Sequence, residues 1–171
     1  TTPKHRDNFI KLAKEGYYDG LLFHRVINAF MVQGGDPDSR NAPPGVSLGM
    51  GGPGYLIDAE IGSPHLRGAL AAARNNNPQK MSSGSQFYLV QGQKIDDNYL
   101  DETERRQNIR YSPEQRKLYK EIGGTPFLDN DYTVFGEIVE GLDVLDKLAA
   151  VPTDANNRPL EDVRMKVRIL E

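Results

Sequence analysis

A mainly β domain, built as a barrel or as an α+β arrangement, is the fold this sequence predicts, and three observations carry it. Short runs of β-forming residues recur between turn signals along the chain. Near the C-terminus, Val163, Met165, Val167 and Ile169 alternate with Arg164, Lys166 and Arg168, so one face packs inward and the other meets water. Helical spacing is confined to a few segments.

From the N-terminus, residues 2–15 predict a helix. Thr2 is the expected cap, Pro3 sits where a missing N–H costs nothing, and Gly16 stops the helix; Phe9, Leu12 and Ala13 share a face. The turn signal Tyr18-Asp19-Gly20 precedes two apolar runs, 21–27 and 30–33, which read as paired strands separated by Asn28-Ala29. On that reading Arg25 points with Phe23 and Ile27, Phe30 with Val32, and Met31 with Gln33. Residues 34–54 are too rich in glycine and proline for a regular element. Within them, Gly49-Met50-Gly51-Gly52-Pro53-Gly54 matches a dinucleotide fingerprint in spacing, but Pro53 and Tyr55-Leu56-Ile57 stand where a helix would have to follow. A glycine-rich surface loop is the better reading.

Further strands are expected at 68–73, 86–90 and 133–138, and a helix at 142–150 with Leu142, Leu145 and Leu148 on one stripe before Pro152. Residues 91–126 differ in composition. They are dense in balanced charge, and Ser112-Pro113-Glu114-Gln115 offers a cap, a first-turn proline and a capping-box partner before Gly123-Gly124. This stretch reads as a solvated helical insertion within one domain spanning 1–171.

The composition removes several function classes. A chain of 171 residues with 37% hydrophobic and 26% charged residues suits one folded domain. Its net charge of -3 gives no electrostatic case for nucleic acid, and no apolar run approaches the roughly 20 residues of a membrane-spanning helix. Without cysteine there is no disulfide, thiolate metal site or cysteine nucleophile. His5, His24 and His65 have no metal-ligand spacing, and no cofactor is expected. Ser85 lacks the flanking glycines of a nucleophile elbow, while Asp36-Pro37-Asp38 and Asp129-Asn130-Asp131 suit turns better than calcium loops. What remains is a set of polar side chains among apolar ones: Arg25, Gln33, Arg74 and Gln86 near Phe30, Met31, Phe87, Tyr88 and Phe127. An arginine in so apolar a strand needs either a structural salt bridge or a solvent-lined pocket, and spacing leaves the two open.

These residues also carry a family. Phe23-His24-Arg25-Val26-Ile27 followed by Phe30-Met31-Val32-Gln33-Gly34-Gly35-Asp36 resembles the signature of the cyclophilins. Gly84-Ser85-Gln86-Phe87-Tyr88-Leu89 is similar to the family's second block. Phe127-Leu128-Asp129, Thr133-Val134-Phe135-Gly136 and Gly141-Leu142-Asp143-Val144-Leu145 are similar to its third, and residues 3–9 match its first helix. The resemblance implies a closed, eight-stranded antiparallel barrel with a helix at each end and an active-site groove on the outer face. It implies Arg25 as the catalytic arginine, with His24 beside it and Gln33 supporting it. Phe30, Met31, Tyr88 and Leu128 would form the proline pocket, with Phe127 and Tyr132 at its rim. Gln86 would hold Arg25 and substrate, and Ala73, Arg74 and Asn75 would supply backbone contacts to the residue before proline.

Phe127 stands where many members have tryptophan, Tyr132 where many have histidine, and Tyr88 where many have phenylalanine. Arg74 replaces an asparagine, a choice associated with bacterial members; periplasm or cell envelope is the expected compartment ahead of cytoplasm. The family's first two strands precede the first helix and have no counterpart here; either further sequence supplies them or the barrel is completed differently. The implied function is peptidyl-prolyl cis/trans isomerisation by a monomer acting on proline-containing peptides or unfolded proteins. A non-catalytic, proline-binding chaperone module of the same fold is the alternative.

Overall fold

In the computed structural model, which describes residues 1–171, helix α1 (Pro3–Lys14) comes first. Pro3 occupies its first turn, and Gly16 takes a φ of 72° just beyond its end, a left-handed conformation that a side chain would oppose. The expected cap is corrected, because the Thr2 side chain makes no capping bond. Glu60, distant in sequence, accepts instead from the Lys4 N–H at 3.2 Å and the His5 N–H at 2.8 Å. A carboxylate at this end satisfies free donors and complements the helix dipole. Glu60→Ala is expected to lower stability by about 1–2 kcal/mol, read as a reduced urea midpoint at unchanged slope. An unchanged midpoint would show that water caps the helix equally well.

Seven strands follow: β1 (Arg25–Ile27), β2 (Met31–Gly34), β3 (Leu56–Ile57), β4 (Ala69–Ala72), β5 (Ser82–Ser83), β6 (Phe87–Val90) and β7 (Val134–Glu137). Five of them form an antiparallel sheet in the order β1-β2-β6-β4-β7, with a register shift between Leu70 and Ala71; β3 and β5 pair separately. These five match the apolar, β-rich runs expected at 21–27, 30–33, 68–73, 86–90 and 133–138, β2 running one residue further to Gly34. The two-residue strands β3 and β5 are too short to carry a period.

The closed eight-stranded barrel is not what the ladders form, since no pairing joins β1 to β7. The expected C-terminal strand is also corrected. Residues 163–169 make one isolated bridge, Leu22 to Arg164, and backbone bonds that join Val163 to Phe23 and Met165 to Leu21 and Gly20. Beyond Met165 no backbone group of the segment is paired. Its alternation reports burial only as far as Val167, with Met165 inside, Val163 and Val167 half-buried and Arg164, Lys166 and Arg168 outside, while Ile169, expected to face inward, is exposed. Burial alternates along any extended segment, whereas a ladder needs a neighbour on the correct side.

One face of the sheet packs on helices. Val26, Val32 and Leu89 meet Leu145 and Ala149 of α4 (Leu142–Ala149), while Phe87 and Leu70 join Leu12, Tyr18, Leu21 and Met165 over α1. The opposite face carries Met31, Ala69, Ala71, Tyr88, Val90 and Val134. Phe30 joins this second face rather than that of Val32, which corrects the side expected for it. The reason is local: β2 begins at Met31, and Ala29 at φ 63° turns Phe30 out of the strand alternation.

The insertion is helical, as expected, with α2 (Asp97–Gln107) and α3 (Pro113–Glu121). Ser112 and Gln115 cap α3 reciprocally. Arg116 reaches from α3 to Asp97 at 3.1 Å and Asp101 at 2.7 Å, and also to Glu104, so the balanced charge is spent between the two helices. Leu100, Tyr111 and Tyr119 are buried beneath them, so the insertion has a small core of its own.

Candidate functional site

The site is built on the sheet face that the helices α1 and α4 leave free. The β1–β2 turn sets Arg25 opposite Gln33, and the β2–β6 ladder sets Gln33 opposite Tyr88. Met31 lies two residues from Gln33 and shares its side. Above them opens a cleft of about 560 Å³ whose lining includes His24, Arg25, Phe30, Met31, Gln33, Ala73, Arg74, Tyr88, Leu128 and Tyr132. Asn75 and Gln86 line an adjoining depression of about 340 Å³ together with Gln33, Ala73 and Arg74. Phe127 stands at the rim, 45% exposed, with its ring 5.5 Å from that of Phe30. All the residues nominated from sequence therefore lie on one surface, although they come from distant segments.

Arg25 is exposed at the mouth of the cleft and makes no ion pair, so the solvent-lined alternative holds and the structural salt bridge does not. Its Nη1 donates to Gln33 Oε1 at 3.3 Å. Gln33 Nε2 in turn donates to Gln86 Oε1 at 3.1 Å, and Gln86 Nε2 to the Gly51 carbonyl at 2.8 Å. This relay fixes one edge of the guanidinium and leaves its other donors open to the cleft. Arg74 is the opposite case. Its buried guanidinium is engaged by the Asp131 carbonyl at 2.9 Å and carboxylate at 3.0 Å, and it lies 4.5 Å from the centre of the Tyr132 ring. It braces the cleft wall. The Ala73 N–H and C=O are bonded to Gln86 and Ser83, which leaves the Arg74 and Asn75 N–H groups as the unpaired backbone donors there.

His24 lines the cleft but is buried, and neither ring nitrogen has a hydrogen-bond partner. Burial lowers its pKa, with Asp36 opposing and Arg25 reinforcing that shift. The ring is therefore neutral at pH 7. Because the folded pKa is depressed, the unfolded chain binds more protons, and stability present above about pH 6.5 declines as the pH falls. His5 is shifted the same way by burial. Urea midpoints measured between pH 7.5 and 5.5 are expected to fall, and less steeply in His24→Asn; an unchanged slope in that variant would show that His24 is not the source.

Two parts of the cleft have no signature in the sequence. The loop at Val46, Ser47, Leu48 and Gly49 and the wall from Asp154 to Arg158 both line it. Asp36 holds the first by accepting the Gly49 N–H at 2.5 Å, while its other oxygen takes the Asp38 N–H as a turn residue should. Arg158 is buried and donates to the Ala42 and Pro43 carbonyls and to Asp162. Its loop partners lie more than 100 residues away, beyond the reach of any local pattern. Asp129 is likewise more than a turn residue: it is buried and accepts from His65, Tyr111 and Tyr119.

Comparison with known proteins finds relatives along nearly the whole of this chain. Residues 1–168 match the family model described as "Cyclophilin type peptidyl-prolyl cis-trans isomerase/CLD". A Staphylococcus saprophyticus protein named among the peptidyl-prolyl cis-trans isomerases is 38% identical, over 99% of this chain and 82% of its own length. A similarly named protein of Staphylococcus aureus strain USA300 is 39% identical, over 94% and 77% respectively. Among solved structures, a Cryptosporidium parvum cyclophilin-type peptidyl-prolyl cis-trans isomerase, crystallised in the presence of the dipeptide Ala-Pro, matches with a TM-score of 0.64 and 27% identity. That match covers 96% of this chain and 83% of the other.

Proposed function

The chain belongs to the cyclophilin-type peptidyl-prolyl cis-trans isomerase family, and we propose that it accelerates X–Pro rotation by hydrogen bonding from Arg25 to the twisting prolyl amide. Rotation about an X–Pro bond faces a barrier of roughly 18–20 kcal/mol, because the amide must lose its double-bond character. Nothing is made or broken, so the task is to bind the twisted form better than the planar one. As the amide twists, the prolyl nitrogen regains a lone pair. A guanidinium held beside it donates more strongly then than to the planar ground state.

One observation carries this reading: Arg25 is the unpaired guanidinium at the cleft mouth, held by Gln33 and Gln86 beside an apolar floor of Phe30, Met31, Tyr88 and Leu128. That floor suits a proline ring, and the open N–H groups of Arg74 and Asn75 suit the carbonyl of an extended peptide. The solved relative crystallised in the presence of Ala-Pro supports a proline-bearing peptide as the ligand. Loops and unfolded chains present such bonds, so assistance to protein folding follows as the role.

A protease-coupled assay on a short X–Pro peptide tests the reading. Acceleration by the wild type is the expected result. Peptide binding without acceleration would overturn it in favour of a proline-binding holder.

A further inference from the structure

Beneath the cleft lies a buried polar network that the proposed mechanism does not use. The Asp129 carboxylate accepts on Oδ1 from the His65 backbone N–H at 2.7 Å and from His65 Nδ1 at 2.8 Å. On Oδ2 it accepts from the Tyr111 hydroxyl at 2.6 Å and the Tyr119 hydroxyl at 2.5 Å. An ionised carboxylate only accepts, so His65 carries a proton on Nδ1. In the neutral ring Nε2 is then an acceptor, and it lies 2.8 Å from the hydroxyl of Tyr88, part of the cleft floor. The His65 and Tyr88 rings stack at 11°, with Tyr132 edge-on to both. Burial pushes the hydroxyls of Tyr88, Tyr111 and Tyr119 up, so all three keep the protons these bonds need.

Tyr111 and Tyr119 both belong to the insertion, and a second set of bonds ties the insertion to the cleft. At the end of α2, Gln107 donates to the Phe127 carbonyl at 2.6 Å and accepts from the Asn130 side chain at 2.8 Å. The insertion thus grips the chain on either side of Leu128, a wall of the cleft. A solvated elaboration would not bury two tyrosines on one carboxylate, since buried polar groups are costly unless bonded.

We propose that the helical insertion is a positioning element for the proline pocket, in which Tyr111 and Tyr119 act through Asp129 and His65 to orient the Tyr88 hydroxyl. The proposal rests on the isomerase reading for its effect on rate, but its geometry is measurable without it. With Nε2 accepting, the Tyr88 proton points into the protein and away from the cleft, so the floor offers the proline ring no donor.

Nitrogen-15 NMR of the His65 ring in the intact wild-type protein is the first test. The Nδ1–H tautomer is expected, and Tyr88→Phe is expected to move the Nε2 resonance while leaving Nδ1 protonated. The second test is a cycle. Tyr111→Phe with Tyr119→Phe is expected to lower kcat/KM about fivefold, and by less than about twofold when Tyr88 is already Phe. The same cycle is read in affinity for an Ala-Pro-containing peptide, so a protein that binds without isomerising still tests the network. A proton on Nε2 in the wild type, whether or not Nδ1 also carries one, or an equal loss in both backgrounds, would overturn the proposal. Should the double variant fail to fold, the wild-type tautomer and the Tyr88→Phe shift decide it.

Discussion

Arg25→Ala is expected to lower kcat/KM for a short X–Pro peptide by on the order of 10²-fold, with a much smaller loss of peptide affinity. The asymmetry follows from where Arg25 stands. The apolar floor of Phe30, Met31, Tyr88 and Leu128 holds the proline ring in both planar and twisted forms, so binding survives the substitution. The guanidinium is worth most when the nitrogen lone pair appears, so its loss falls on the rate. No carboxylate partner is left unpaired when it goes, because Arg25 has none, and stability is expected to change little. Arg25→Lys sharpens the test: it keeps a charge but loses the planar fork that bonds Gln33 while still facing the cleft, so recovery is expected to be partial. Parallel measurement of rate and peptide affinity checks this. Equal losses in both would mean that Arg25 binds the ground state and leaves catalysis unexplained.

Gly35→Ala is expected to cost the largest amount of stability, roughly 3 kcal/mol or more, and to shift Tm by roughly 10 °C. Gly35 has a φ of 95°, which a side chain resists, and an added Cβ would overlap the Ser85 carbonyl oxygen and lie 3.0 Å from Gln86 Cα. Both obstacles are backbone, so neither rotates aside. The segment between β5 and β6 that must give way carries Gln86, the second member of the relay behind Arg25. Activity is therefore expected to fall even at temperatures where the variant is folded. Thermal unfolding and the isomerisation assay check the two parts separately; a variant with wild-type Tm would show that the Gly35 and Ser85 segments are free to separate.

Much of this fold is legible locally. Short apolar runs of β-formers between turn signals placed β1, β2, β4, β6 and β7, helical spacing placed α1 and α4, and the Ser112 capping box marked α3. The site was legible in two ways. Polar side chains among apolar ones are costly to bury, so Arg25, Gln33 and Gln86 stand out as needing an explanation. Their roles, and the pocket of Phe30, Met31, Tyr88 and Leu128, are what the resemblance to the cyclophilins implies. Phe30 was misassigned because strand alternation fails as soon as one residue adopts a left-handed turn, as Ala29 does. Asp129 reads as a turn residue because its donors, His65, Tyr111 and Tyr119, lie 64, 18 and 10 residues away, outside any local pattern.

By itself, then, the sequence determined which segments are extended or helical, which face of each is apolar, and which polar groups require an explanation. Those properties depend on periods of a few residues and on the cost of burial. Only the tertiary structure decided that Glu60 caps α1, that Arg25 stays free while a buried Arg74 is tied to Asp131, that the C-terminal segment pairs with no full strand, and that the insertion reaches Tyr88 through Asp129. Each of these depends on which donor meets which acceptor across tens of residues. A hydrogen bond of that kind leaves no period in the chain, so it exists only once packing has brought its two ends together.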